Sequence, residues 1–181
     1  MVVHQKKILA FAATTSGNSI NKKLVQYVAN SIANAEVEIL DLNHYELPLF
    51  SEDLEQQLGK PQAATDFIAK LASADALIIS FAEHNGMYSA AYKNLFDWCS
   101  RQAGRNVYQG KPMLLMATSP GSRGGRTVLE LATAASPRFG GDVRASISVP
   151  SFTENFDQQA GEISNDKIKI EIDAALEKLL Q

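Results

Sequence analysis

The chain has 181 residues, of which 45% are hydrophobic and 20% charged, with a formal net charge of -3. That length suits one domain with a sizeable core. The near-balanced charge, with no basic block, argues against nucleic acid or an anionic membrane surface as partner. Cys99 is the only cysteine, so no intrachain disulfide can form, which fits a reducing, cytoplasmic location.

The opening MVVHQKKILAFAATTSG places two lysines before an apolar run. The run is short for a signal peptide and reads as a buried strand, KILAFAA, from Lys7 to Ala13. No stretch approaches the length of a membrane-spanning helix. Leu24, Val28 and Ile32 recur at helical spacing. VEILDL, residues 37–42, is the second expected strand, and residues 44–61 read as an irregular surface excursion. Phe67, Ile68 and Leu71 form the inner face of a helix over 66–72. ALIISFA, residues 76–82, lacks polar alternation, so a third strand buried on both faces is expected. A helix follows over 89–102. PMLLMATS, residues 112–119, is the fourth strand, followed by a helix near 124–136 and a turn at Gly140 and Gly141. VRASISV, residues 143–149, is the fifth strand, and the last helix carries Ile168, Ile172, Ala175, Leu176 and Leu179 on one stripe. This alternation predicts an α/β fold in one domain over 1–181. It is a flavodoxin-like, doubly wound, five-stranded parallel sheet of order 2-1-3-4-5 with helices on both faces.

Such sheets bind ligands beyond the carboxyl ends of their strands, where the strand order reverses. Three polar loops lie there: residues 14–21, 83–88 and 119–125. The first, TTSGNSIN, opens a helix whose free N–H groups favour an anion. Thr14, Thr15, Ser16, Asn18, Ser19 and Asn21 add polar side chains, and Gly17 permits a close approach. It has no lysine of a nucleotide-hydrolysing loop. Two readings stand: a simple helix cap, or a nest for a phosphate monoester. The second, EHNGMY, sets Glu83 beside His84 and is either an acid–base pair or a polar connection. The third, SPGSRGGRT, brings Ser119, Gly121 and Gly124 to a helix start, with Arg123 and Arg126 either solvated or attracting an anionic substrate. His4, His44 and His84 have no metal-ligand spacing. Cys99, beside Trp98, reads as a small apolar residue rather than a nucleophile.

Together the three loops resemble the NADPH-dependent FMN reductase family, which includes quinone, azo-dye and chromate reductases. TSGNSIN resembles its phosphate loop, with Ser19 and Asn21 on the closing S-x-N. ELPLFSEDLE resembles its segment after strand two. AEHNGMYSAAYKNLFDW shares the spacing of Glu83, Asn85, Gly86, Lys93, Asn94, Asp97 and Trp98 with its flavin segment. GKPMLLMATSPGSRGG resembles its fourth strand and loop, and FDQQAGEIS the entry to its last helix. Ser16, Ala82 and His84 stand where arginine, proline and tyrosine are usual.

The resemblance implies bound FMN and NADPH or NADH as co-substrate. It implies cofactor contacts from Thr14, Ser16, Asn18, Ser19, Asn21, Glu83, His84, Asn85, Gly86, Met87, Ser119, Gly121 and Gly124, and no catalytic acid or base. It also implies a small-molecule electron acceptor and a homodimer or tetramer packed through the helix that starts near Tyr88, whose apolar arc is wide. A core beneath the neighbouring loop is the other explanation of that arc. Two further functions fit the architecture: an electron carrier of the flavodoxin type, and a flavin-free descendant of the fold. The small net charge and the scarcity of aromatics at the loops favour the enzyme over the carrier.

Overall fold

The computed structural model describes residues 5–181. The strands of its main sheet are β1 (Lys6–Ala13), β2 (Ala35–Leu40), β3 (Ala76–Phe81), β4 (Pro112–Thr118) and β5 (Asp142–Val149). They pair in parallel in the order β2-β1-β3-β4-β5, as expected. Ile8 lies opposite Val37 on one side and Ala76 on the other, and Leu77 lies opposite Met113. Every residue of β3 is buried, because helices cover both faces. β5 is one edge, opposite β2, and its residues alternate between buried and accessible towards its end. A register shift between Met113 and Leu114 leaves Arg144 as the extra residue of a bulge.

The longer helices are α1 (Ile20–Asn30), α2 (Glu52–Leu58), α3 (Gln62–Ser73), α4 (Ala90–Ala103), α5 (Arg126–Ala135) and α6 (Asp166–Leu180). On one face, Leu24 and Val28 of α1 and Ile168, Ile172 and Leu176 of α6 pack on Ile8, Ala10, Ile78 and Met116. On the other, Phe67, Leu95, Trp98 and Val128 from α3, α4 and α5 pack on Leu9, Phe11, Ile79 and Leu115. The period-two side-chain alternation of the strands sorts these residues between the two layers.

Several expected boundaries shift for local reasons. β2 runs from Ala35 to Leu40, and Leu42 instead anchors a 3-10 turn, Leu42–Tyr45. Ile32 lies beyond the end of α1, yet still packs against its face of the sheet. α5 starts at Arg126 because Gly124 and Gly125 have φ of 60° and 69°, outside the helical region. Residues 44–61 are not irregular throughout, since they hold part of the turn and all of α2. Their backbone is tied to α4. Trp98 Nε1 donates to the Pro48 carbonyl at 2.8 Å, and Asn94 accepts from Phe50 N–H at 2.8 Å and donates to the Leu47 carbonyl at 3.0 Å. Phe50 meets Trp98 edge to face at 5.1 Å. Leu95, Trp98 and Cys99 are therefore buried within this chain, which explains much of the wide arc on α4.

Candidate functional site

β1, β3 and β4 are neighbours, so the three polar loops at their carboxyl ends share one rim. The first leads from β1 into α1. Ser19 caps the helix, its Oγ accepting from Asn21 N–H at 3.2 Å. Thr14 Oγ1 likewise accepts from Ser16 N–H at 3.2 Å. Each hydroxyl thus spends a lone pair inside the loop and keeps its proton to donate. Among the described residues, the N–H groups of Thr15, Gly17, Asn18 and Ser19 have no partner. Asn43 Nδ2 holds the Thr15 carbonyl at 3.0 Å, and Asp41 in turn orients Asn43 through bonds of 2.8 and 3.1 Å. The Asn43 and Lys22 donors hold the Asp41 carboxyl below the usual range. The result is a row of donors at a helix N-terminus, suited to an anion, in which Thr14 and Ser19 are only 2% and 9% exposed. The side chains of Ser16 and Asn18 are exposed beside it.

Asn21 behaves differently from its neighbours. Its side chain is 3% exposed and faces inward. Oδ1 accepts from Ser80 Oγ at 2.8 Å and Thr118 N–H at 3.2 Å, and Nδ2 donates to the Thr118 carbonyl at 3.4 Å. The amide thereby bolts α1 to β3 and β4.

The stretch EHNGMY is a hairpin rather than a simple loop. Glu83 pairs with Tyr88 and His84 with Met87, antiparallel. Asn85 and Gly86 form its tip with φ of 54° and 78°, as a two-residue turn of mirror type requires. The Asn-Gly pair was the sequence signal for this turn. The N–H groups of both residues are unpartnered among the described residues.

Glu83 is anchored: its Oε2 accepts from Val128 N–H at 3.0 Å. α5 has no side-chain cap of its own, so Glu83 caps it from a distant part of the chain and stabilises the dipole's positive end. His84 and Met87 are exposed at the tip. The Tyr88 ring turns inward onto Phe81 and Tyr92 at 5.5 and 5.3 Å. Its desolvated phenol is pushed up to about 12, so it stays protonated at neutral pH.

The third loop is fastened from behind. Gly121 carbonyl accepts from Ser151 N–H at 2.9 Å, and Ser119 carbonyl accepts from Phe152 N–H at 3.1 Å. A Cβ on Gly124 would stand 2.9 Å from Pro150 N, so only glycine fits there. The N–H groups of Ser119, Gly121 and Ser122 are unpartnered among the described residues, and Gly121 is exposed.

Two bracing residues were missed in the sequence. Ser89 Oγ caps α4 through Tyr92 N–H at 3.2 Å and donates to the Ala13 carbonyl at 2.7 Å, joining the hairpin to the end of β1. A serine directly before a helical pattern was the signal. Ser151, at φ 43°, had no sequence signal, since its left-handed backbone is imposed by the loop it holds. His4 lies outside the described residues. Burial pushes the Cys99 thiol up to about 12, leaving no thiolate for nucleophilic attack.

Residues 6–155 match the sequence profile of the NADPH-dependent FMN reductase family. A 2-hydroxy-1,4-benzoquinone reductase from a Burkholderia species is 33% identical over 118 residues, which are 65% of this chain and 63% of that enzyme. The MG342 homolog of Mycoplasma pneumoniae is 31% identical over 157 residues, 84% of this chain and 92% of that protein. Among solved structures, FerB of Paracoccus denitrificans, a flavoenzyme NAD(P)H:(acceptor) oxidoreductase, superposes with a TM-score of 0.73 at 23% identity. That likeness covers 96% of this chain and 95% of FerB.

The Asn21 geometry predicts a stability effect. Asn21→Ala leaves Ser80 and both Thr118 backbone groups short of partners, at ~1–3 kcal/mol for each buried group left unpaired. Urea unfolding of the variant should show at least ~2 kcal/mol lost; a change under ~0.5 kcal/mol would mean the amide is not a brace.

Proposed function

The chain belongs to the NADPH-dependent FMN reductase family, and from that premise we propose that it is an FMN-containing, NAD(P)H-dependent oxidoreductase acting on quinones, flavins or related small acceptors. The observation that carries this reading is the paired donor sets. One lies on the first loop, where unpartnered N–H groups and two proton-bearing hydroxyls fit a bound phosphate. The other comprises the unpartnered N–H groups at the hairpin tip and the third loop, which fit the heteroatom edge of a flat ring.

When bound, FMN supplies the hydride acceptor and donor chemistry. The chain's own residues bind, orient and hold. Thr14 and Ser19 hydroxyls and the N–H groups of residues 15 and 17–19 grip the phosphate, with Ser16 and Asn18 at its edge. Asn21 fixes the pitch of that grip from inside. Asn85 and Gly86 offer backbone N–H donors, while Ser119 and Gly121 supply the facing loop. Glu83 acts as an anchor, because its carboxylate is committed to the Val128 N–H at 3.0 Å. Gly124 serves by fitting against Pro150, and His84 and Met87 border the open side. The Tyr88 ring is packed inward, which favours a slot accessible to a nicotinamide over the enclosed ring of an electron carrier. Protons reach the product from water at the open face, so no side chain is assigned as acid or base.

The reading includes one FMN-binding domain, a cytoplasmic location and a homodimer. Among the described residues, no helix is long and apolar enough to cross a membrane. The dimer is supported by a groove of about 240 Å³ on the flank of α4, lined by Tyr88, Phe96, Tyr108 and Phe139. Sedimentation at micromolar concentration should give twice the chain mass, and a monomer alone would refute the dimer.

Two further experiments test the activity. Ser19→Ala should weaken FMN binding about ten- to a hundred-fold in a fluorescence titration, the loss of ~1.5–3 kcal/mol for a hydrogen bond to a charged group. Unchanged affinity would place the phosphate elsewhere. Stopped-flow reduction of bound FMN by NAD(P)H should slow less than about ten-fold in His84→Ala and Glu83→Gln, ~1.4 kcal/mol of barrier. A loss of about a thousand-fold with FMN still bound would make one of them a catalytic acid or base.

A further inference from the structure

A second cleft opens on the same rim, one strand further out. It holds about 320 Å³ and is lined by Ser122, Arg126, Ser148, Asn155, Lys167 and Glu171 among others. Ser148 stands near the end of β5, Arg126 begins α5, and Lys167 lies in the first turn of α6. Much of the lining is already bonded. Ser148 Oγ donates to the Gly124 carbonyl at 3.0 Å. Asn155 donates to the Pro150 carbonyl at 2.9 Å and accepts from Asn165 Nδ2 at 2.8 Å. These bonds fix the walls without using the cations.

The charges that remain are unbalanced. Among the described residues, the Arg126 guanidinium has no carboxylate partner, and neither it nor the Ser122 hydroxyl has a hydrogen-bond partner. Lys167 Nζ lies 4.0 Å from Glu171 on two exposed side chains, a loose pair that leaves the ammonium available. Two cations face one carboxylate in the cleft, and a guanidinium fork matches two phosphate oxygens at once. The cleft also adjoins the proposed flavin slot. Loop 119–125 borders the hairpin through α5, where Val128 meets Glu83 and a Cβ on Gly86 would lie 3.6 Å from Thr127 Cγ2. The same loop reaches the cleft through Ser122 and, one residue beyond it, Arg126.

We propose that this cleft binds the 2′-phosphate on the adenosine end of the nicotinamide donor, with Arg126 as its main contact and Lys167 and Ser122 as supports, and so selects NADPH over NADH. The inference rests on the oxidoreductase reading above. A phosphate monoester carries close to two negative charges at neutral pH. The corresponding hydroxyl of NADH is neutral and gives an unpaired guanidinium little to hold.

The test is a calorimetric titration of the FMN-loaded protein with 2′,5′-ADP, 5′-AMP and inorganic phosphate. The expected result is that 2′,5′-ADP binds at least about ten-fold more tightly than 5′-AMP. Arg126→Ala should abolish that difference, and Lys167→Ala should reduce it. The ratio of KM for NADPH to KM for NADH should rise about ten-fold in Arg126→Ala, and Arg126→Lys should restore part of the preference. Equal binding of the two nucleotides, or an unchanged preference in Arg126→Ala, would overturn the assignment. Inorganic phosphate that displaces 2′,5′-ADP at equal concentration would also overturn it, reducing the cleft to a general anion site. If neither dinucleotide reduces the flavin, the oxidoreductase reading fails by itself, and the binding titration still decides the cleft.

Discussion

The buried amide of Asn21 bonds to Ser80 on β3 and to both backbone groups of Thr118 on β4, while its own residue lies in the first turn of α1. The rest of the site depends on this contact. Parallel strands end in backbone groups that no neighbouring strand can satisfy, and a helix starting there brings unpaired N–H groups of its own. Asn21 satisfies the groups inside the protein, and those of residues 15 and 17–19 stay unpartnered among the described residues. Ser89 does similar work between β1 and α4, and Glu83 between the hairpin and α5. Three loops distant in sequence are thereby held as one rim.

The donors of the first loop and of the hairpin tip are neutral. They are backbone N–H groups and hydroxyls whose lone pairs are already engaged, so they donate without competing for the ligand's protons. Such a surface can hold a phosphate and hydrogen-bond a ring edge, and it offers no strong base. The carboxylate of the hairpin, Glu83, is bound at a helix N-terminus. This arrangement suits chemistry in which the organic cofactor transfers electrons and the protein supplies position and polarity.

The family profile ends at residue 155, before α6. Yet α6 closes one face of the sheet through Ile168, Ile172 and Leu176, and it carries Lys167 to the cleft beside Arg126. The first loop and hairpin lie inside the profile. The outer cleft takes one wall, with Asn165, Lys167 and Glu171, from beyond the profile.

Strand periodicity, apolar runs and loop composition were enough to read the strands and the three loops, because those signals are local and repeat along the chain, while the strand order followed from the rule for five-stranded doubly wound sheets. The sequence also carried the Asn85-Gly86 turn and the Ser89 cap, although their local patterns were submerged in a polar segment. What it could not carry was direction. Ser19 and Asn21 are two residues apart and both polar, yet one caps its own helix and the other bonds across to β3 and β4, and that depends on where Ser80 and Thr118 stand. Glu83 and Val128 are 45 residues apart, and no pattern in either segment announces their bond. Arg126 and Lys167 belong to different helices, and only the packing of α5 and α6 against the sheet brings them to one cleft. Local periodicity determined the elements. The partners of each polar side chain were decided by tertiary structure, because a hydrogen bond depends on distance and angle between atoms that the chain order leaves unrelated.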